Sequence, residues 1–497
     1  MDVLNAVPSV PAAALQRHRR LSSAAEAFLR FADDHPECFR ADAFAGLKED
    51  PDPIYPYPLQ PWPTLVAAPR LAALARANLG LCAVIKSLPQ RIFDGDVGRL
   101  AEFYGLSPEQ QELIAAAFEG GAGVEDFFAR GDYLLTDRGL RCLEVNLGAN
   151  LGGWEMALLA QRYQRVPLFQ RFVAEHDLKP ECASTFILAL QQLVGLFRRH
   201  YRRSTDVLRV ALLAPPGYDA AAVAPALQYM SSVLQRILDG AGQGLRGALV
   251  AGLYRDLEVV GDDLLLDGEP VHVVMEQNPV RFDERILPIL RRGEIRFLNG
   301  PLRWVLDDKR NLALLSDPRY RHHFEPGERE LLDATVPWTR CLEDRVDEPP
   351  HGLAQERGGE RAPLRELALR HREDLVLKQG QGLAGLAVHL GRSTPEDRWE
   401  ELVDRALEQG DWVLQELVTS EPFVYQHGER GWAWHEAVWG LFALGQVHGG
   451  GFLRVQPGGS GQPVNTRTGA RESVLLEVSE AMPPSRLDSE GWADAAW

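Results

Sequence analysis

Arg130, Asp132, Glu144 and Asn146 are polar residues whose types and spacing can do chemistry together. They lie in Arg130-Gly131-Asp132-Tyr133-Leu134-Leu135-Thr136-Asp137-Arg138-Gly139-Leu140-Arg141-Cys142-Leu143-Glu144-Val145-Asn146, which reads as a β-hairpin. Asp137-Arg138-Gly139 suits a three-residue turn with glycine in the left-handed position. That turn sets Thr136 opposite Leu140, Asp132 opposite Glu144 and Arg130 opposite Asn146 on one face. Tyr133, Leu135, Leu143 and Val145 take the apolar face, and a turn of two or four residues would separate Asp132 from Glu144. Facing carboxylates repel until something positive sits between them. Asp, Glu and Asn oxygens are hard ligands of the kind Mg²⁺ takes alongside phosphate oxygens, and Arg130 can hold an oxyanion bidentately. The alternative reading is an exposed hairpin edge with ordinary charges.

A second constellation begins at the strand Leu375-Val376-Leu377-Lys378. It runs into Gln379-Gly380-Gln381-Gly382-Leu383-Ala384-Gly385 and out through a strand over 386–390. Strand, glycine loop, strand can drape backbone N–H groups over phosphates, with Lys378 as a point charge on them. The loop is neither a Walker A sequence nor a strand-to-helix GxGxxG, and a purely structural glycine hairpin looks the same. Further on, Gln415, Glu416, Leu417 and Val418 end an apolar strand over 412–418, against which a flat adenine could sit; any buried strand has this pattern too. Arg454, after Gly449-Gly450-Gly451, sits at a strand start and could add a phosphate or carboxylate contact. His322, His323, His427 and His435 lack metal-ligand spacing and read as solvated or packed side chains.

The elements around these residues are mixed α and β. The first 120 residues read as mainly helical, with a sharply punctuated helix start at Ser107-Pro108-Glu109-Gln110. Pro51 to Pro63 form a stiff connector, read as loop packing or as the wall of a cleft. Residues 208–214, stopped by Pro215-Pro216-Gly217 and followed by a helix to about Leu238, make an open-sheet α/β unit. Short strands broken at Gly261 and Gly268 fill 249–276, and residues 302–316 return to helix. A charged, Gly/Pro-rich stretch over 343–363 reads as a mobile loop or linker. Strands follow at 436–444 and 452–456, and the last fifteen or so residues read as a tail.

With 497 residues the chain exceeds one ordinary core. Its 53 Lys and Arg stand against 70 Asp and Glu, a net charge of −17 that argues against nucleic-acid and anionic-membrane partners while leaving room for a local phosphate pocket. Five scattered cysteines without a CxxC pair argue against disulfides and zinc. No uninterrupted apolar run of membrane-spanning length stands out and the N-terminus lacks signal-peptide order, so a soluble cytoplasmic protein is expected.

In this order, these pieces resemble the circularly permuted branch of the ATP-grasp superfamily, the ligase half of glutathionylspermidine synthase among them. The carriers are Arg130-x-Asp132 and Glu144-x-Asn146 ahead of Asn299-Gly300-Pro301, Lys309, the Lys378 strand with its glycine loop, and Gln415-Glu416. The likeness spans about 125–470, without the amidase half or its catalytic cysteine. It implies a permuted ATP-grasp core with an N-terminal helical region (1–120), a metal-binding part (121–200), an inserted open-sheet subdomain (201–300), a nucleotide-binding part with a glycine lid (301–480) and a tail (481–497). It further implies a carboxylate–amine ligase using ATP and Mg²⁺ on a small-molecule or peptide acid and an amine. Asp132, Glu144 and Asn146 would hold Mg²⁺, and Arg130 the transferring phosphoryl group. Lys309, Lys378, Gly380, Gly382, Gln415, Glu416, Leu417, Val418 and Arg454 would hold the nucleotide. Asn150 and Gly152-Gly153-Trp154 form a turn that could reach a substrate. A phosphotransferase needs the same site and stays open; a noncatalytic nucleotide sensor would not need both carboxylates.

Overall fold

The computed structural model describes residues 10–40, 42–44, 46–47, 55, 57–123, 126–148, 151–242, 244–276, 282–350, 361–382, 387–426, 431–459 and 461–480. The fold is mixed α and β, with three main sheets. In the central sheet the strands run in the order Thr64–Ala67, Arg471–Val478, Val447–Pro457, Trp432–Leu444, Phe128–Thr136, Gly139–Leu147. Phe423–Gln426 pairs with the first residues of Trp432–Leu444. Thr64–Ala67 runs parallel to its neighbour, and the other pairs are antiparallel.

The apolar face of this sheet packs on the Ala68–Arg91 helix, which contributes Leu71, Leu74, Leu81, Val84, Ile85 and Leu88 to the largest core. By length and composition that 24-residue helix could cross a membrane; here it packs against strands of the central sheet. The N-terminal helices Ala12–Leu21 and Ser23–Asp34 join the same core. Ser22 ties them to the sheet, its hydroxyl donating to the Leu65 carbonyl at 2.9 Å. The proline-rich connector docks on the sheet as well, with Gln60 N–H donating to Glu472 O at 2.7 Å and Glu472 N–H to Pro58 O at 2.8 Å.

The open-sheet unit is present as four parallel strands in the order Arg296–Leu298, Val273–Glu276, Val207–Leu213, Arg246–Gly252. Its strands are apolar on successive residues because both faces of a parallel sheet are covered, one by the Ala220–Gly240 helix. The Pro108–Glu119 helix begins with the expected reciprocal cap: Gln110 N–H donates to Ser107 Oγ at 3.2 Å, and Ser107 N–H to Gln110 Oε1 at 2.9 Å. Gly261 and Gly268 take φ of 60° and 73° at the two expected strand breaks.

The third sheet is antiparallel, in the order Thr339–Cys341, Trp412–Glu416, Leu375–Gln379, Val388–Leu390. It carries the Lys378 strand. The 302–316 helix differs from expectation, for it breaks into Arg303–Leu306 and Arg310–Ser316. Asp308 causes the second start, its Oδ1 accepting from Arg310 N–H at 2.8 Å. Lys309 therefore sits at a joint rather than within a helix. In the 343–363 stretch, Val346–Asp347 pairs with Ala362–Pro363, and 351–360 lie outside the described residues. All five cysteines are free thiols.

Candidate active site

The hairpin forms, but by another route than the expected turn. Thr136 pairs with Gly139, so the turn holds two residues, Asp137 and Arg138. Gly139 has φ of 103° and opens the return strand. A two-residue turn alone would set Asp132 against Leu143 and send Glu144 to the apolar face. A β-bulge at Leu143 inserts one residue and restores the pairing, so that Asp132 faces Glu144 and Arg130 faces Asn146. Leu140, Cys142, Val145 and Leu147 are the buried residues of the return strand, and Leu143 is not one of them.

Asp132 is gripped by two arginines. Arg130 donates to it bidentately, Nε to Oδ1 at 2.8 Å and Nη2 to Oδ2 at 3.0 Å. Arg454, which lies inside Val447–Pro457 rather than at a strand start, reaches Oδ2 with Nη2 at 2.6 Å from beyond the intervening Trp432–Leu444 strand, and Asn146 Nδ2 donates to the same oxygen at 3.1 Å. Arg130 lies over the Phe452 ring at 5.4 Å and donates to Gly152 O at 3.1 Å, which ties the Gly152-Gly153 turn to the site. Gly440, opposite Asp132 in the sheet, leaves the space that Arg130 crosses. A Cβ there would come within 3.1 Å of both Arg130 Cδ and Phe452 Cε1.

The two lysines reach the hairpin from the other side. Lys378 Nζ donates to Gln415 Oε1 at 2.6 Å and to the Leu143 carbonyl, the bulge residue, at 2.9 Å. Lys309 Nζ lies 3.3 Å from Glu144 Oε2 and donates to Gly382 O at 2.8 Å, while its N–H donates to Gly380 O at 2.9 Å. Gly380 allows this approach, because a Cβ would lie 2.7 Å from Asp308 Oδ1. Residues 383–386 of the glycine loop, Asn150 and His427 lie outside the described residues.

Arg130, Arg454, Lys309 and Lys378 thus surround Asp132 and Glu144, a surplus of positive charge in a chain of net −17. The positive charge that facing carboxylates need is thus supplied by the protein's own side chains. Burial pushes Asp132 up, yet Arg130 and Arg454 outweigh it and hold the carboxyl below its usual range. Burial also raises Glu144, as does Asp132, but Lys309, Lys378 and Arg454 bring it below normal. Burial lowers Lys378 to about 8, with Glu144 opposing. Asp307 is raised to about 7 by burial, although Leu147 N–H donates to its Oδ1 at 2.8 Å.

The adenine segment is used differently from the sequence reading. Gln415 turns its side chain inward to Lys378. Glu416 N–H donates to Trp338 O and Leu417 N–H to Asp374 O, each at 2.8 Å, so a base lying here would have to use carbonyls or Val418. Glu416 Oε2 lies 4.0 Å from Arg141. His435 is buried with its ring nitrogen on Ala433 O, and the His322 and His323 rings lie tilted at 37° with centroids 4.1 Å apart. Sequence reasoning missed Gly440, Phe452, Asp307 and Thr339. Gly440 and Phe452 show their role only once the strands are registered.

For a divalent cation, Glu144 and Asn146 fit. A half-turn of the Asn146 amide presents its oxygen beside Glu144, and two protein donors plus phosphate and water suit Mg²⁺. Asp132 fits less well as a third ligand, because both of its oxygens are held by arginine. No group of three His, Cys, Asp or Glu side chains converges as a metal cage among the described residues.

No family model and no curated protein matches this sequence. Among solved structures, a glutathione synthetase-like effector from Globodera pallida in its apo form aligns over 84% of this chain and 90% of its own, at 14% identity and a TM-score of 0.52. The chain shares that protein's fold. Two others align more loosely. One is described as a gamma-glutamylcysteine synthetase from Methylobacillus flagellatus (15% identity, 79% of this chain and 88% of that one, TM-score 0.39). The other is D-alanyl-alanine synthetase A from Vibrio cholerae (11% identity, 54% of this chain and 74% of that one, TM-score 0.26).

Proposed function

We propose that this chain is a cytoplasmic, ATP-dependent carboxylate–amine ligase of the permuted ATP-grasp kind, joining an acid and an amine through an acyl phosphate and releasing ADP and phosphate. The observation that carries the reading is the meeting of four cations, a carboxylate–amide pair and a glycine segment at the junction of two sheets. The fold shared with a glutathione synthetase-like effector supports it. Fold alone does not assign chemistry, so the weight rests on the site.

Phosphoryl transfer to a carboxylate requires two anions to meet, and preorganised positive charge lowers that barrier. Lys378 and Lys309 would take phosphate oxygens, Lys309 by giving up its bonds to Glu144 and Gly382. Glu144 and Asn146 would hold Mg²⁺, which when bound cancels charge on the β- and γ-phosphates. Arg130 and Arg454, braced by Asp132, would orient the incoming carboxylate or the transferring phosphoryl group. The Gly380–Gly382 backbone would cover the phosphates and keep water from the acyl phosphate. The amine then attacks the acyl carbon, forming the amide as phosphate leaves.

Screening acid–amine pairs for ADP release, with mass detection of the condensed product, tests this. ADP formed with both partners and a product of summed mass less water is expected. Phosphorylated product without an amine would make the chain a phosphotransferase.

A further inference from the structure

Lys378 is held by a chain of side chains that runs through Gln415 to Thr339. Its ammonium has three N–H groups. One is committed to Leu143 O and another to Gln415 Oε1. These acceptors sit on different sheets, so together they fix the direction of the third donor. That donor lies in the neighbourhood it shares with Glu144 and Lys309, both of which act on the Lys378 charge. Gln415 can serve Lys378 only with its amide oxygen turned inward. The opposite end of that amide decides the matter: Gln415 Nε2 donates to Thr339 Oγ1 at 3.0 Å. The Thr339 hydroxyl spends its own proton on Pro337 O at 2.9 Å, so towards Gln415 it acts as an acceptor. Thr339 faces Gln415 across the antiparallel pair, and both are buried, at 0% and 1% exposure.

We infer that Thr339 is a positioning residue for phosphate binding: through Gln415 it fixes the orientation of the Lys378 ammonium. This rests on the nucleotide reading of Lys378 given above. Thr339→Val keeps the side-chain shape and removes the acceptor. Gln415 Nε2 is then left buried without its acceptor, so the amide is held at its Lys378 end alone and can swing, carrying the ammonium out of its direction. Thr339→Ser keeps the acceptor. Adenosine carries no phosphate, so its binding is indifferent to where Lys378 points, whereas general loosening of the sheet would affect both ligands.

The experiment titrates ATP and adenosine, each with Mg²⁺, into the full chain and its Thr339→Val and Thr339→Ser variants. ATP affinity should fall about five- to tenfold in Thr339→Val, the loss of one charge-assisted hydrogen bond. It should stay within about twofold of the parent in Thr339→Ser, with adenosine affinity level in all three. Unchanged ATP affinity in Thr339→Val, or equal losses of ATP and adenosine, overturns the inference and leaves the nucleotide reading standing. A parent chain that binds no ATP removes both. Should Thr339→Val fail to fold, Gln415→Met removes the inward acceptor directly and must show the same ATP-selective loss.

Discussion

The Lys378 ammonium donates at 2.9 Å to the carbonyl of Leu143, the residue at which the hairpin carries its extra member. The bulge that brings Glu144 opposite Asp132 also turns a backbone carbonyl out of the ladder, and the sheet that carries Lys378 takes it up. The acidic hairpin and the lysine strand are therefore tied by this bond at the point where register is set.

From this follows a pH-dependent affinity. In the proposed function Lys378 would bind phosphate as the ammonium, and burial brings its pKa to about 8. ATP affinity should hold below that value and decline as pH rises through it. Lys378→Met should bind ATP more than about tenfold more weakly at neutral pH, from the ~1.5–3 kcal/mol of a charge-assisted hydrogen bond. Nucleotide titration across pH checks both, and a flat profile in the parent would remove Lys378 from the phosphate site.

Gly440→Ala should impair turnover more than folding. The new methyl would meet Arg130 Cδ and Phe452 Cε1 at 3.1 Å and Asp132 Oδ1 at 3.4 Å, so the Arg130 side chain has to shift. We expect a loss of about tenfold or more in kcat with little change in Tm, because sub-ångström displacement of an orienting group acts on the transition state. Steady-state ADP formation beside thermal unfolding measures this. Normal turnover would show that the Arg130 position is not critical.

Much of this site was legible in sequence because its residues declare charge. Arg130, Asp132, Glu144, Asn146, Lys309, Lys378 and Arg454 converge as their types and order implied. The turn length is not legible in the sequence, because Gly139 suits either loop length and a bulge leaves no composition signal. The place of Gln415 in its strand suggests a contact with the base, whereas its partners Lys378 and Thr339 lie on the two flanking strands. The 302–316 helix read as continuous because its periodicity persists across the Asp307-Asp308 break. Such non-local pairings are set by tertiary packing.

Glu144→Gln separates catalysis from stability. Its carboxyl is held below the usual range, so the folded state favours the ionised form. That stabilisation is present above the unfolded pKa and is lost as pH falls through the folded value. The variant should therefore be slightly less stable at neutral pH, by about 1 kcal/mol after allowance for screening. Mg²⁺-dependent ADP formation should drop by roughly 10²- to 10³-fold. A strongly destabilised yet active Glu144→Gln would make Glu144 a structural ion-pair partner.

Asp307 predicts the opposite sign. Its folded pKa is raised from 3.8 to about 7, so between these values the folded state keeps a proton that the unfolded chain gives up. Its contribution to stability is present below the unfolded pKa and lost as pH rises through the folded one. Asp307→Asn keeps an acceptor for Leu147 N–H and carries no charge. Relative to the parent it should gain stability between about pH 4.5 and about pH 8 in thermal unfolding. An equal difference at both ends would show that Asp307 ionises normally.

The most direct test of acyl-phosphate ligation uses an acid–amine pair that supports ADP release, with the acid labelled by ¹⁸O in its carboxylate. Attack by that carboxylate on the γ-phosphate, followed by amine attack on carbon, leaves one labelled oxygen on the phosphate released. Mass analysis of the phosphate should find this single label, together with ADP and the amide in equal amounts. Unlabelled phosphate, or AMP and pyrophosphate in place of ADP, would contradict the mechanism.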